Sequence, residues 1–341
     1  MPGSIKEIAE RARVSRGTVD RALNHRGGVN KETAEKIQRI ADALGYKPNV
    51  VGKALASQRK PVTIGVVINN IGNPFFDDVL LGIADAQKEI RDFGFNIKIR
   101  TEKGYDPQKQ LKDIQNLVDD GIEGLVITPV TDARIVACLN KLIDDQMRVV
   151  CCNLDIPGVN YLAYVGCDYF KSGQTAGEMI GLSMNGKGNL DIVGCSNAIY
   201  CHRLRVEGCL DVLSKNYPGI KINQIIEVDD DDEIAFGKTF RMLSDDHSIN
   251  ALYFSAAGTS GGLEAVKQLD LVGKIQIFTF DSIPVVVEAI KNGIVLATID
   301  QQAYVQGYRS VRTLFDAILN SRLPESDHLI TELNVKLRYN I

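Results

Sequence analysis

The chain has 341 residues, with 39 Lys/Arg against 43 Asp/Glu for a net charge of −4, and no Trp. That length exceeds one average domain, and no apolar run approaches the roughly 20 residues of a membrane-spanning helix. The seven cysteines, Cys138, Cys151, Cys152, Cys167, Cys195, Cys201 and Cys209, are odd in number and lack CxxC spacing, which fits a reducing, cytoplasmic setting. The start on a capped helix, with no charged and then apolar leader, points the same way.

Charge divides the chain. Residues 1–60 hold thirteen Lys/Arg against six Asp/Glu, a net of +7, while residues 61–341 carry −11. A basic module of that size is drawn to phosphate, and its binding weakens with salt. Within it, Ile5, Ile8, Ala9 and Ala12 recur at helical spacing, so 4–12 reads as a short amphipathic helix with Ser4 as N-cap and Glu7 completing a capping box. A tight connection at Arg13 and Val14 follows. Ser15 then caps a second helix that turns Val19, Ala22 and Leu23 inward and Arg16, Gly17, Asp20 and Arg21 outward. Two short helices with arginines on the outer face of the second have the pattern of a helix-turn-helix. A third helix, 31–44, closes the small core with Ala34, Ile37, Ile40, Ala41 and Leu44, and ends at Gly45. Residues 49–58 (NVVGKALASQ) lie between Pro48 and Pro61 and are too short for a stable isolated helix.

From residue 62 the texture changes to alternating strands and helices. Strands are expected at 63–68, 97–101, 124–128, 148–153, 164–165, 190–193, 222–228, 251–254, 275–280 and 296–299. Helices are expected at 74–93, 107–120, 132–145, 171–184, 204–216, 235–244, 259–269, 284–292 and 303–321. Such alternation gives open parallel sheets flanked by helices, and ten strands favour two sheets in two lobes. Ligands bind outside the carboxyl ends of such strands, in the crevice. The residues there are Asn73, Phe75 and Phe76 after the first strand, Asp155 after the fourth, His202 and Arg203 after the sixth, Asp281 after the ninth, and Asp300 and Gln301 after the tenth. Carboxylates, an arginine, amides and two aromatics suit a sugar, whose hydroxyl pairs want bidentate partners and whose apolar face wants a ring.

Residues 4–24 (SIKEIAERARVSRGTVDRALN), 29–33 (VNKET) and 43–49 (ALGYKPN) closely resemble the head of the lac repressor (LacI/GalR) family. The resemblance implies that Ser15, Arg16, Gly17, Thr18, Arg21 and Asn24 face DNA. Arg16 and Gly17 would stand at the variable reading positions, Arg21 at a base-contacting one, and Thr18 and Asn24 on phosphates. Gly17 replaces a usual long side chain, and Asp20 a usual small Ser. It further implies a hinge helix at 48–60, with Leu55 wedged into the minor groove; Gly52, in place of the commoner Ala, costs that helix about 1 kcal/mol. The body resembles the same family's ligand-binding core and the ribose-binding proteins of the periplasmic-binding-protein type I fold. Asn73, Phe75, Phe76, Asp155, Arg203, Asp281 and Gln301 match effector-binding positions. Ile156, Thr128 and Ser255-Ala-Ala-Gly depart from the usual residues.

The fold class expected is α/β: an all-α helix-turn-helix head at 1–47, a hinge at 48–60, and a two-lobed parallel α/β sandwich. One lobe would comprise 61–159 with 303–323, the other 160–302 with 324–341, with crossings near 160, 302 and 325. The expected function is a cytoplasmic repressor whose homodimer binds a pseudo-palindromic operator under control of a small sugar, with no cofactor, metal or membrane partner. The chain stops without a heptad tail, which suits a dimer. Two rivals stand beside this reading: a purine or nucleoside corepressor, and a sugar-acting enzyme using Asp155 and Asp281. Asp155, Asp281 and Asp300 each have a plainer reading as caps or loop carboxylates, and Asp168 reads as an N-cap. The acidic run at 229–233 lacks calcium-loop spacing and reads as a solvated turn, and the four His make no metal spacing.

Overall fold

A computed structural model describes residues 4–23, 28–46, 61–69, 71–194 and 199–341. In the head, α1 (Ile5–Ala12), α2 (Arg16–Leu23) and α3 (Lys31–Ala43) enclose Ile8, Ala9, Ala12, Val19, Ala22, Ile37 and Ala41. Ser4 caps α1 by accepting from Glu7 N at 3.2 Å. The Glu7 carboxylate instead takes Arg11 at 3.0 Å, one turn on, so the capping box is half formed. Arg13, at φ 58, turns the chain between the first two helices.

Each of the ten strands and nine helices expected in the body occurs, with ends displaced by no more than four residues. Two short strands join them, β11 (His328–Ile330) and β12 (Asn334–Lys336). The first sheet runs β11-β5-β4-β3-β1-β2, built from Val62–Ile68 (β1), Phe95–Thr101 (β2), Gly124–Ile127 (β3), Arg148–Cys152 (β4) and Ala163–Gly166 (β5). The second runs β12-β10-β9-β8-β6-β7, from Lys187–Gly194 (β6), Gly219–Glu227 (β7), Ala251–Phe254 (β8), Gln276–Phe280 (β9) and Ala297–Asp300 (β10). Pairing is parallel throughout except between β10 and β12. Val- and Ile-rich segments such as β1 are buried because helices cover both faces of the sheet.

Two of the three crossings between sheets differ in place from those expected. Residues 163–166 pair with β4, so the chain leaves the first sheet after Gly166 rather than near 160. Residues 328–330 pair with β5 in the first sheet, and the return to the second falls between Ile330 and Asn334 rather than near 325. The middle crossing lies where expected, at Gln302, whose left-handed φ of 60 redirects the chain into the helix Ala303–Asn320. Gln302 Oε1 accepts from Glu332 N at 3.1 Å and Thr331 Oγ1 donates to Gln301 O at 3.0 Å, tying two crossings together. Among the described residues no helix is long and apolar enough to cross a membrane.

Candidate functional site

On the head, Ser15 Oγ accepts from Thr18 N at 3.0 Å and lies 2.9 Å from Thr18 Oγ1, which fixes the start of α2. Arg16, Gly17 and Arg21 are exposed, as expected of an outer face. The Arg21 Nε donates to Gly17 O at 3.2 Å, laying the side chain along the helix. A Cβ built on Gly17 would meet only Ser15 Oγ at 3.7 Å, so the fold does not demand glycine there. Asp20 lies near Tyr46, and its charge adds to burial in raising that phenol. The expected phosphate residue Asn24 and the hinge residues Gly52 and Leu55 lie outside the described residues.

Between the lobes is a small cleft lined by Asn73, Phe75, Phe76, Tyr105, Asn153, Tyr169, His202, Arg205, Asp230, Ala256, Ala257, Asp281 and Gln301. Five of the seven expected effector residues are therefore together: Asn73, Phe75, Phe76, Asp281 and Gln301. Asn73 Oδ1 accepts from Phe75 N at 3.1 Å, starting the helix Phe75–Arg91, and the Phe75 and Phe76 rings meet edge-on at 5.2 Å.

Arg203 and Asp155 do not line the cleft. Arg203 is about half exposed, paired with Glu207 at 3.5 Å on the outside of its helix. Asp155 is held by Tyr161 OH at 2.7 Å and by Ile156 N at 2.7 Å. The arginine in the cleft is Arg205, 2% exposed. Its Nη1 donates to Ser255 O at 2.7 Å, Nη2 to Gln301 Oε1 at 3.4 Å and Nε to Ser172 Oγ at 3.3 Å. The guanidinium lies 3.6 Å from the Phe280 ring centroid and 4.7 Å from that of Tyr169. Gln301 Nε2 then donates to Asp281 Oδ1 at 2.8 Å, so arginine, amide and carboxylate form one chain. Burial pushes the Asp281 carboxyl up to about 6, although the Arg205 charge and the Gln301 bond both pull it down.

Glycines set the position of Arg205. The helices Tyr169–Ser183 and Tyr200–Asn216 cross so closely that a Cβ on Gly173 would strike the Arg205 carbonyl, and one on Gly208 would strike Phe170. Arg205 lies three residues, about one helical turn, before Gly208, so the buried face that Gly208 marks carries Arg205 and not Arg203; that spacing was the available signal.

The acidic run at 229–233 is not a solvated turn throughout. Asp229 and Asp230 both take left-handed φ, 52 and 57, which swings Asp230 into the cleft. Asp230 Oδ1 accepts from Ala257 N at 3.1 Å, and Oδ2 from Tyr105 OH, of the first lobe, at 2.7 Å. Asp231 caps the following helix, and Asp232 accepts from Gly261 N at 3.1 Å. Asp168 is an N-cap as expected, accepting from Lys171 N. A second link between lobes runs from Asp155 N to Cys201 Sγ at 3.3 Å.

Residues 64–321 match the family model of the periplasmic binding protein domain, and residues 4–49 that of bacterial regulatory proteins of the lacI family. Catabolite control protein A of Staphylococcus aureus (strain Mu50 / ATCC 700699) is 27% identical over 225 residues, 63% of this chain and 63% of that protein. The chain thus aligns with about 63% of the length of that relative. The HTH-type transcriptional regulator RegA of Clostridium acetobutylicum is 34% identical over 126 residues, 37% of this chain and 36% of RegA. The crystal structure of GanP, a glucose-galactose binding protein from Geobacillus stearothermophilus, has the same fold, with a TM-score of 0.76 at 24% identity, over 83% of this chain and 99% of that one. The chain belongs to the periplasmic-binding-protein domain family, and residues 4–49 give it the regulatory head of the lacI family.

Proposed function

We propose that the chain is a cytoplasmic transcription repressor, a homodimer whose two heads bind a pseudo-palindromic operator and whose cleft binds a small, uncharged sugar that sets operator affinity. The observation that carries the sugar reading is the chain Arg205, Gln301, Asp281, fixed between aromatic rings in an interlobe cleft. It presents donors and acceptors already oriented for hydroxyl pairs, so little side-chain freedom is lost on binding. Arg205 is the one Lys or Arg lining the cleft among the described residues, its donors are largely engaged, and two carboxylates, Asp230 and Asp281, line the same cleft. That balance disfavours a phosphorylated ligand. Asn73, Phe75 and Phe76 complete the set, with Arg205 in the role expected of Arg203. Asp155 supports the bonds around Tyr161 instead of contacting the ligand.

On the head, Arg16, Gly17 and Arg21 are the base-reading surface, Ser15 and Thr18 are phosphate contacts together with Asn24, and the hinge Leu55 is the minor-groove wedge. The names of the two relatives, a catabolite control protein and an HTH-type transcriptional regulator, support this assignment. Control follows from linkage: a sugar that binds one lobe arrangement more tightly shifts the population toward it, and with it the operator affinity. Turnover is not expected. Regulators of this kind are not an enzyme family, and Asp155 and Asp281 do not face each other across the cleft as an acid and nucleophile would need to. A purine effector is the second reading, because four aromatic side chains, Phe75, Phe76, Tyr105 and Tyr169, line the cleft.

The test is selection of DNA from a random pool by the full chain, followed by operator binding with and without neutral sugars. The expected result is an inverted repeat whose affinity changes at least tenfold with one sugar. An enriched site indifferent to every sugar and responsive to a purine would overturn the sugar assignment, and failure to enrich any site would overturn the DNA-binding one.

A further inference from the structure

The His202 ring is a polar group of the cleft that the set built around Arg205 does not use. His202 sits three residues before Arg205 on the same helix and lines the cleft, with its ring 6.3 Å from that of Tyr169. Its Nδ1 is buried and has no hydrogen-bond partner among the described residues. Burial is the main force on the ring; it pushes the imidazole down to about 4, so the side chain is uncharged at neutral pH. A neutral ring nitrogen, whether it carries the proton or the lone pair, complements a hydroxyl, which both donates and accepts. Folded proteins seldom leave a buried nitrogen without a partner, because its desolvation is not offset.

The neighbour that bears on His202 is Asp230, whose charge acts on the ring against the effect of burial, with Arg205 acting the other way. Asp230 is held from both lobes, by Ala257 N on one side and Tyr105 OH on the other. The fixed carboxylate and the His202 ring thus line the same cleft, with the aromatic Tyr105 and Tyr169 beside them.

We propose that His202 is a specificity-determining residue: its Nδ1 hydrogen-bonds one hydroxyl of the bound sugar, and with Asp230 alongside it reads the configuration at that carbon. The inference rests on the sugar reading of the cleft. The ligand class it selects is an uncharged cyclic polyol carrying a free hydroxyl at the His202 wall, and an epimer or deoxy sugar altered there is rejected because it leaves the buried nitrogen unpaired.

The experiment is calorimetric titration of the full chain with D-ribose, D-xylose, L-arabinose, D-glucose, D-galactose and myo-inositol, then with single-deoxy forms of the tightest binder. Wild type, His202→Phe and His202→Gln are compared, each with its unliganded melting temperature. The expected result is a fall of tenfold or more for His202→Phe with melting no lower than wild type, and partial recovery in His202→Gln. One deoxy form should cost wild type tenfold or more and cost His202→Phe less than twofold, since that bond is already gone. Wild-type affinity in His202→Phe, or equal losses for every deoxy form in both proteins, overturns the proposal while leaving the sugar cleft standing. Absence of binding to wild type by every probe overturns the sugar reading and this inference together.

Discussion

The head and the cleft each turn on arginine, and they use it in opposite ways. Arg16 and Arg21 are exposed, and Arg21 is held by one backbone bond to its own helix. Arg205 is enclosed between two rings and donates to three partners. Exposed cations suit a polyanion, which supplies its own field and tolerates side-chain adjustment. A small neutral ligand supplies no such field, so its site has to be fixed in advance. The same residue type is thereby an exposed charge in one region and a scaffold in the other.

Removing each arginine separates the two uses most clearly. Arg205→Ala leaves Asp281 buried without its main counter-charge, and should destabilise the body by about 3–5 kcal/mol and remove sugar binding. Arg203→Ala, by contrast, should change stability by less than about 0.5 kcal/mol and leave binding intact. Thermal melts and calorimetry on the two variants check both, and loss of binding in Arg203→Ala alone would restore the original assignment.

A second test uses pH. The Asp281 carboxyl has an ordinary value of 3.8 and is raised to about 6 in the fold. The unfolded chain therefore ionises first as pH rises, so this group's contribution to stability is greatest below about 4, declines through the window to about 6, and stays lost above it, by at most about 3 kcal/mol. Asp281→Asn should flatten the stability profile between those limits. A residual slope is expected from Asp191, which burial raises to about 6 as well. Identical profiles for variant and wild type would mean that the carboxyl is not held as described.

Two substitutions of glycine sharpen the contrast at smaller scale. Gly208→Ala forces apart the helices that carry Phe170 and Arg205, and should cost about 1–3 kcal/mol along with weakened sugar binding. Gly17→Ala meets only Ser15 Oγ, at an ordinary van der Waals distance of 3.7 Å, and should stabilise the head by about 1 kcal/mol, with any change in DNA preference arising at the reading surface. A stabilised Gly208→Ala or a destabilised Gly17→Ala, measured by thermal unfolding, would contradict the packing assigned to each.

The sequence was legible where the information is local. Hydrophobic periodicity marks which face of an element is buried, and it placed the strands and helices of the body within a few residues. It does not say which sheet a strand joins, because that depends on distant partners. Residues 163–166 and 328–330 pair with each other across more than 160 positions of chain, and both were assigned to the wrong side of a lobe boundary. The Arg203 assignment failed for a different reason. Residues two apart on a helix point roughly 200° apart, so Arg203 and Arg205 share no face. Cys201, Arg205, Gly208, Cys209, Val212 and Leu213 form the buried stripe, and the spacing of those residues marks Arg205 as the inward one. Asp230 was hidden by its acidic neighbours, since composition reports a charged run and not the left-handed backbone that turns one member inward. The partnerless nitrogen of His202 has no sequence signature.

In the proposed function the cleft holds an uncharged sugar through a preformed polar chain. The most direct measurement is the melting temperature of the wild-type chain against neutral pentoses and hexoses, their phosphates, and purines. A ligand at 100 times its dissociation constant adds about 2.7 kcal/mol, which for lobes of this size raises the melting point by roughly 5–10 °C. The account predicts such a rise with at least one neutral sugar and none with its phosphate. A rise with purines or sugar phosphates alone would contradict it.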